Sequence, residues 1–376
     1  MKDLRKKIVK NTRRIVVKVG SALVADWPSE APSRIFANLA AQVSALKGER
    51  GLEFVIVSSG AIALGMKRLA LTARPSSIPE RQAVAAVGQG SLMSRYEAAF
   101  AAKGEFVAQV LLTHDDIGSR KRFLNARNTL FTLLRFGITP VINENDTVAV
   151  EEIKFGDNDK LAALVTNLVE ADLFVILTNV DGVHEANPMN NPSAKRISLV
   201  EDVDRMDLSL TGQTSALGTG GMASKIEAAR TAAHFGIPTI VVSGYTPDII
   251  TKAMNAEDTG TLILPKEDRL TSRKHWIAFS SRPTGVIVVD DGARDALLNK
   301  GKSLLPSGIK AIDGSFDAGE VVRCVDSKGA EFARGVVNYG SSEIARIKGV
   351  KTSEVEAVLG YKVYDEVIHR DNLVVM

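Results

Sequence analysis

The 376-residue chain contains a single cysteine, Cys324. One thiol excludes an intramolecular disulfide and a cysteine-built metal site, and it suits a reducing cytoplasm. No apolar run approaches the ~20 residues a membrane-spanning helix needs. The basic start "MKDLRKKIVKNTRR" is followed by no apolar h-region, so it does not read as a signal peptide. With seven basic residues and one acid, it reads as a solvated, partly frayed terminus. The five histidines are scattered, and no G-x-S-x-G elbow or H-E-x-x-H pair occurs. Ser-His hydrolysis and zinc hydrolysis therefore lack support, and no metal-ligating set is assigned. A net charge of +3 is too small to imply a nucleic-acid partner.

Short β-branched runs alternate with helical stretches through about residue 265. Strands are expected at 14–20, 53–60, 106–113, 139–146, 173–180 and 239–244. Helices are expected at 33–50, 80–103, 123–136, 158–170 and 222–235, the last stopped by Gly236 with Pro238 beyond. Nearly continuous apolar strands are expected to lie parallel and to be buried on both faces. The expected fold class is α/β, a three-layer open and mostly parallel sheet. The charged stretch 266–279 reads as a linker. Turns and short strands after it, with Asp291-Gly292, Asp313-Gly314 and Lys328-Gly329 as tight-turn signals, predict a small β-rich domain over 280–360.

Ligands of open α/β sheets bind beyond the carboxyl ends of the strands, and several strand exits here are polar. "VKVGS" carries Lys18 in a valine-rich strand, where an ammonium needs an anionic partner. "SSGAIALG" follows the second strand and can either cap a helix or offer backbone N–H groups to an anion. "NENDTVA" and "FGDNDKLAA" together hold Asn143, Glu144, Asn145, Asp146, Asp157, Asn158 and Asp159. That is more than capping requires, although a solvated acidic loop would also read this way. "LGTGGMASKIEAA" (217–229) has the composition of a phosphate loop without the P-loop spacing. A dinucleotide fingerprint can be forced onto Gly218, Gly220 and Ala223, but no strand precedes it. Two lysines, a glycine loop and a polar pocket suit phosphoryl transfer, in which positive donors offset the charge of the moving group.

The ordered set "VVKVGS", "VSSGAIALG", "FLNARNTL", "VINENDTVA", "KFGDNDKLAA" and "LGTGGMASK" resembles the glutamate-phosphorylating branch of the amino acid kinase family. The resemblance covers nearly the whole chain, because the C-terminal segment is similar to the PUA domain of bacterial members. It implies transfer of phosphoryl from ATP, with Mg2+, to the side-chain carboxylate of L-glutamate, the first step of proline synthesis. It implies that Lys18 contacts the transferred phosphoryl, Lys225 the nucleotide phosphates, and that Asp159 holds both lysines. Ser59, Asp146 and Asn158 match glutamate-binding positions. Lys18, Thr178, Asn179, Thr219, Gly220, Gly221, Met222, Ala223, Ser224 and Lys225 match nucleotide-binding positions. The resemblance also implies feedback inhibition by proline, a homo-oligomer and a glutamyl phosphate reductase as partner.

Three positions depart from the family pattern. Asn179 stands where aspartate is common, His184 where tyrosine is usual, and Ala22 where a hydroxyl residue is common. Two rival readings remain: a sibling kinase acting on another small carboxylate, and an RNA-binding role for the tail. The tail shows no dense basic stripe with interleaved aromatics, which disfavours the second.

Overall fold

A computed structural model of the chain describes residues 2–25, 34–148, 157–186, 191, 193–206, 221–266, 277 and 283–376. The chain divides into two compact units, Met1–Asp116 with Arg120–Arg269, and Ile117–Ser119 with Leu270–Met376.

In the first unit the strands are β1 (Arg14–Val19), β2 (Glu53–Ser58), β3 (Val107–Leu112), β4 (Thr139–Glu144), β5 (Leu173–Thr178), β6 (Leu199–Val200), β7 (Thr239–Ser243) and β8 (Thr261–Ile263). The helices are α1 (Lys2–Asn11), α2 (Ser21–Ala25), α3 (Arg34–Arg50), α4 (Ala61–Arg68), α5 (Ile78–Ala101), α6 (His114–Gly118, whose last two residues group with the second unit), α7 (Arg120–Arg135), α8 (Asp157–Leu168), α9 (Met222–His234) and α10 (Ile249–Met254). All six expected strands and all five expected helices form. Gly236 takes the left-handed φ of +72° just past α9, as a glycine helix stop requires.

The sheet order is β3-β4-β2-β1-β5-β7-β8-β6, parallel except for the β7–β8 pair. β1 lies between β2 and β5, with Lys18 opposite Val57 and Ile176. The order reverses at β1, because the chain leaves it for β2 on one side and returns to β5 on the other. Alternation along β1 sorts its side chains. Ile15, Val17 and Val19 enter the core formed with Phe36, Leu39 and Val43 of α3 and Leu92, Tyr96 and Phe100 of α5. Val16 and Lys18 therefore face the opposite layer, where α8 packs on β1, β2, β4 and β5, and α9 on β5 and β7.

The N-terminus corrects the sequence reading. It forms α1, and Arg5 is buried, donating to the carbonyls of Thr259 at 2.9 Å and Ser198 at 3.2 Å. Burial lowers the pKa of its guanidinium, and Asp258 at 3.4 Å partly offsets this. Charge pattern alone carried no sign of these backbone acceptors.

The second unit is a five-stranded sheet of β9 (Gly285–Val289), β10 (Ile309–Asp313), β11 (Val321–Val325), β12 (Glu331–Val336) and β13 (Leu373–Val375). Its order is β10-β9-β11-β12-β13. Gly314 and Gly329 have φ of +89° and +82°, consistent with turns. Asp291-Gly292 instead opens the helix Asp291–Lys300, because the Asp290 carboxylate accepts from the Ala293 N–H at 2.6 Å and caps it. β13 lies beyond the expected boundary at 360. Val367, Ile368 and Leu373 belong to this unit's core, and the Tyr339 hydroxyl donates to the Tyr364 carbonyl at 2.5 Å. Cys324 is in the same core and fully buried. Burial, helped by the nearby Glu331 carboxylate, pushes its thiol up to about 12.

Candidate active site

Lys18 reaches the carboxyl end of β1 on the face covered by α8, and the first turn of α8 presents Asp159 to it. The Lys18 ammonium lies 2.5 Å from Asp159 Oδ1. Lys225, in the first turn of α9, lies 3.6 Å from Asp159 Oδ2. The Ser224 hydroxyl is 2.7 Å from the same Oδ2 and 2.9 Å from the Gly221 carbonyl, so its one proton has two acceptors. The three charged side chains expose only 6%, 8% and 1% of their area. Sequence reasoning asked for an anionic partner for Lys18, and the structure supplies one.

Two cations share one carboxylate in a dry site, and their protonation follows from that count. Burial alone would raise the Asp159 pKa, but Lys18 and Lys225 outweigh it and hold the carboxyl below its ordinary range. Burial lowers the Lys225 ammonium to about 8, Asp159 opposing the shift and Lys18 adding to it. Asp159 also sits in the first turn of α8, where the helix dipole favours negative charge. The result is a buried cluster with one net positive charge at the ends of two helices and a strand, an arrangement that attracts an anion.

The neighbouring strand end is shaped by glycine. After β2 the chain turns through Ser59 and Gly60 into α4, and the Ser59 N–H donates to the Val19 carbonyl at 3.1 Å. Gly60 has φ of +107°, and a Cβ there would lie 2.6 Å from Val24 Cγ1. Only glycine fits such a turn without strain. Beneath it, the buried Tyr96 hydroxyl donates to Ser58 Oγ at 2.9 Å, and burial raises the phenol's pKa.

At the end of β4, Asn143 Nδ2 donates to Gln89 Oε1 at 2.7 Å, and Asn143 Oδ1 accepts from the Glu144 N–H at 2.9 Å. His114 Nδ1 lies 3.4 Å from Glu144 Oε1. Asn145 Oδ1 accepts from the Thr147 hydroxyl at 2.6 Å. Most of the polar density thus has specific partners. Asp146 lies two residues beyond β4. Asn158, beside Asp159 in the first turn of α8, has a buried Oδ1 with no hydrogen-bond donor among the described residues.

On the other side of β1, the Thr178 hydroxyl ends β5 and donates to Asn179 Oδ1 at 3.3 Å. His184 lies 3.2 Å from Asp181. Gly221 precedes α9 in an extended conformation, and Met222, Ala223, Ser224 and Lys225 form its first turn. Thr219 and Gly220 lie outside the described residues, as do residues 155 and 156 and most of the 266–279 stretch. Sequence reasoning missed the bond from Ser224 to Asp159, the Tyr96–Ser58 pair and the Gln89–Asn143 pair. Ser224 stood among the nucleotide positions with no link to Asp159, and a lone helical glutamine or tyrosine carries no signal.

Comparison with known proteins bears on the chain's family. The model described as "Amino acid kinase family" matches residues 13–243, and the model described as "PUA domain" matches residues 285–359. The glutamate 5-kinase of Geobacter sulfurreducens is 51% identical over 374 residues, covering 99% of this chain and 100% of that protein. Those of Pelobacter propionicus and Syntrophotalea carbinolica are 50% and 49% identical, each covering 99% of this chain and 100% of its own. With its lysine pair and aspartate gathered at the carboxyl ends of a mostly parallel sheet, the chain belongs to the amino acid kinase family.

Proposed function

We propose that this protein transfers the γ-phosphoryl group of ATP to the side-chain carboxylate of L-glutamate, giving γ-glutamyl phosphate, the first step of proline synthesis. The observation that carries the proposal is the buried Lys18–Asp159–Lys225 cluster, two cations on one carboxylate. The identity of about half the residues to glutamate 5-kinases, along the full chain, supports the choice of acceptor.

The chemistry matches the cluster's charge. A carboxylate oxygen forms a bond to the γ-phosphorus while the bond to the ADP oxygen breaks, and ADP leaves with the electron pair. The side-chain carboxyl of glutamate, with a pKa near 4.3, is already ionised at neutral pH, so no proton has to be removed. The obstacle is repulsion between two anions. At ~4 Å and an effective dielectric constant near 20, each pair of unit charges costs about 4 kcal/mol. In this reading Lys18, at the carboxyl end of β1, offsets charge on the transferred phosphoryl. Lys225 at the start of α9 serves the nucleotide phosphates, and Asp159 orients both.

Ser59, Asp146 and Asn158 are assigned to glutamate, Asn158 offering its unmatched acceptor to the ammonium. Thr178, Asn179 and Gly221 to Lys225 are assigned to the nucleotide. The same assignment extends to Thr219 and Gly220 from the sequence resemblance. Among the described residues no group of three His, Cys, Asp or Glu side chains could hold a metal ion. The Asp159 oxygens are engaged by the lysines and Ser224. Mg2+ therefore fits this site as a companion of the nucleotide, held by phosphate oxygens and water, where it would offset phosphate charge. Feedback by proline, a homo-oligomeric state, a reductase partner for the labile product and a cytoplasmic location belong to the same reading. No helix among the described residues is long and apolar enough to cross a membrane.

The test is incubation with Mg-ATP and candidate acids, trapping the acyl phosphate with hydroxylamine. Glutamate should give hydroxamate, and N-acetylglutamate, whose ammonium is masked, should give little. Equal rates with the two acids would overturn the assignment of glutamate.

A further inference from the structure

The amide network at the end of β4 contains a donor that the site assignments above do not use. Asn143 is oriented by its own neighbour: the Glu144 N–H donates to its Oδ1 at 2.9 Å, so its Nδ2 faces Gln89. That nitrogen donates to Gln89 Oε1 at 2.7 Å. An amide carries its acceptor and its two donors on opposite arms, so the chain of bonds fixes which arm of Gln89 turns away. The arm that turns away is Nε2, which is buried and has no hydrogen-bond partner among the described residues. A buried donor left without an acceptor is unfavourable, so a fold that holds one here is suited to a ligand that accepts from it.

The position of Gln89 is set by an unusually close helix crossing. A Cβ added at Gly88 would lie 1.7 Å from the Ala61 carbonyl oxygen and 2.5 Å from the Gly65 nitrogen. α5 therefore rests directly on the first turn of α4, which follows the Ser59–Gly60 turn at the end of β2. Gln89, one residue along, is held beside that turn and bonded to the end of β4, the strand next to β2. β4 and β1 are two strand spacings apart, about 9–10 Å. In an extended glutamate, four carbon–carbon bonds of about 1.5 Å separate the carboxyl carbons by about 5 Å. A glutamate whose side-chain carboxylate meets the phosphoryl group held at Lys18, if it runs along the strand ends toward β4, spans about half of that separation and brings its α-carboxylate oxygens toward Gln89.

We infer that Gln89 is a substrate-binding residue that donates Nε2–H to the α-carboxylate of the acceptor amino acid, while Asn158 Oδ1 takes its ammonium. Two buried groups of opposite hydrogen-bonding sense would then read the two substituents of the α-carbon. This inference rests on the proposed glutamate kinase activity and adds the residue that selects a free α-carboxylate.

The experiment compares glutamate with its α-carboxamide, which keeps the acceptor carboxylate but replaces the α-carboxylate with an amide. Hydroxamate formation is measured for the unaltered protein, Gln89→Glu and Gln89→Ala. In Gln89→Glu a carboxylate oxygen still accepts from Asn143, so the internal pair persists while the outward donor becomes an acceptor. The unaltered protein should favour glutamate by kcat/KM, and Gln89→Glu should reduce that preference at least tenfold by raising the KM for glutamate. The KM for ATP should stay within about twofold. Gln89→Ala should reduce the preference in the same direction without adding negative charge. An unchanged preference in either folded variant overturns the inference, as does equal use of both compounds by the unaltered protein. Failure of that protein to phosphorylate glutamate at all would instead overturn the parent activity.

Discussion

Replacing Asp159 by asparagine removes the one negative charge shared by two buried ammonium groups. The consequence can be worked from the distances. Asp159 Oδ2 lies 3.6 Å from the Lys225 nitrogen. At an effective dielectric constant near 20, a pair of unit charges at that separation is worth about 4–5 kcal/mol, or roughly three pKa units. Lys225 already stands at about 8 because of burial and the neighbouring Lys18. Without Asp159 it should be neutral at pH 7. A donor aimed at developing charge is commonly worth 10²–10³ in kcat, so Asp159→Asn should lose at least about 10²-fold at pH 7.5. The diagnostic is the pH profile. A lysine is charged below its pKa, so part of the lost rate should return as the pH falls toward 5.5. Hydroxamate formation measured from pH 5.5 to 9, with circular dichroism to confirm the fold, reads both effects. A variant within threefold of the parent rate at every pH would refute the view that Asp159 sets the charge of Lys225.

The unaltered protein should show a basic limb in kcat/KM for ATP above about pH 8, falling tenfold per unit as Lys225 deprotonates. Lys225→Arg, whose guanidinium stays charged, should flatten that limb; a limb of the same midpoint in the variant would assign it to another group. Gly88→Ala should destabilise the fold by about 1–3 kcal/mol or more, because the atoms its Cβ would meet are all backbone, and should raise the KM for glutamate. A denaturant midpoint equal to the parent's would refute the tight crossing. A chain ended near Leu270 should fold and retain phosphoryl transfer, since among the described residues these two hydrophobic clusters share none and every residue assigned to chemistry precedes 226. A folded but inactive product would place part of the site in the second unit.

Strand order along the chain and the helix boundaries were legible because apolar runs and glycine stops are local signals. From composition and spacing the partner of Lys18 was legible only as a need, since a lysine among valines requires an anion but spacing does not say which; the family resemblance is what pointed to Asp159. The basic terminus was misread at Arg5, because the carbonyls of Ser198 and Thr259 that hold it lie 193 and 254 residues away in sequence. Asp291-Gly292 misled for a different reason. The same dipeptide serves a hairpin or a helix start, and the Asp290 cap decides between them. Residues 361–376 carry no strong periodicity, and their place in the second sheet depends on β12 and on the Tyr339 hydroxyl. Gln89 was invisible because its meaning lies in which arm of the amide is left over.

The sheltered thiol at Cys324 turns the second unit into its own reporter. With its pKa near 12, only about one molecule in ten thousand carries a thiolate at pH 8, and the sulfur is shielded from reagents in any case. Alkylation of the native protein should therefore proceed no faster than β11 is uncovered. Because the chain has no other cysteine, the labelled fraction over time counts openings of that sheet alone. Run in parallel with hydroxamate formation, it would time the loosening of the C-terminal unit against loss of catalysis in the same tube, with no engineered probe.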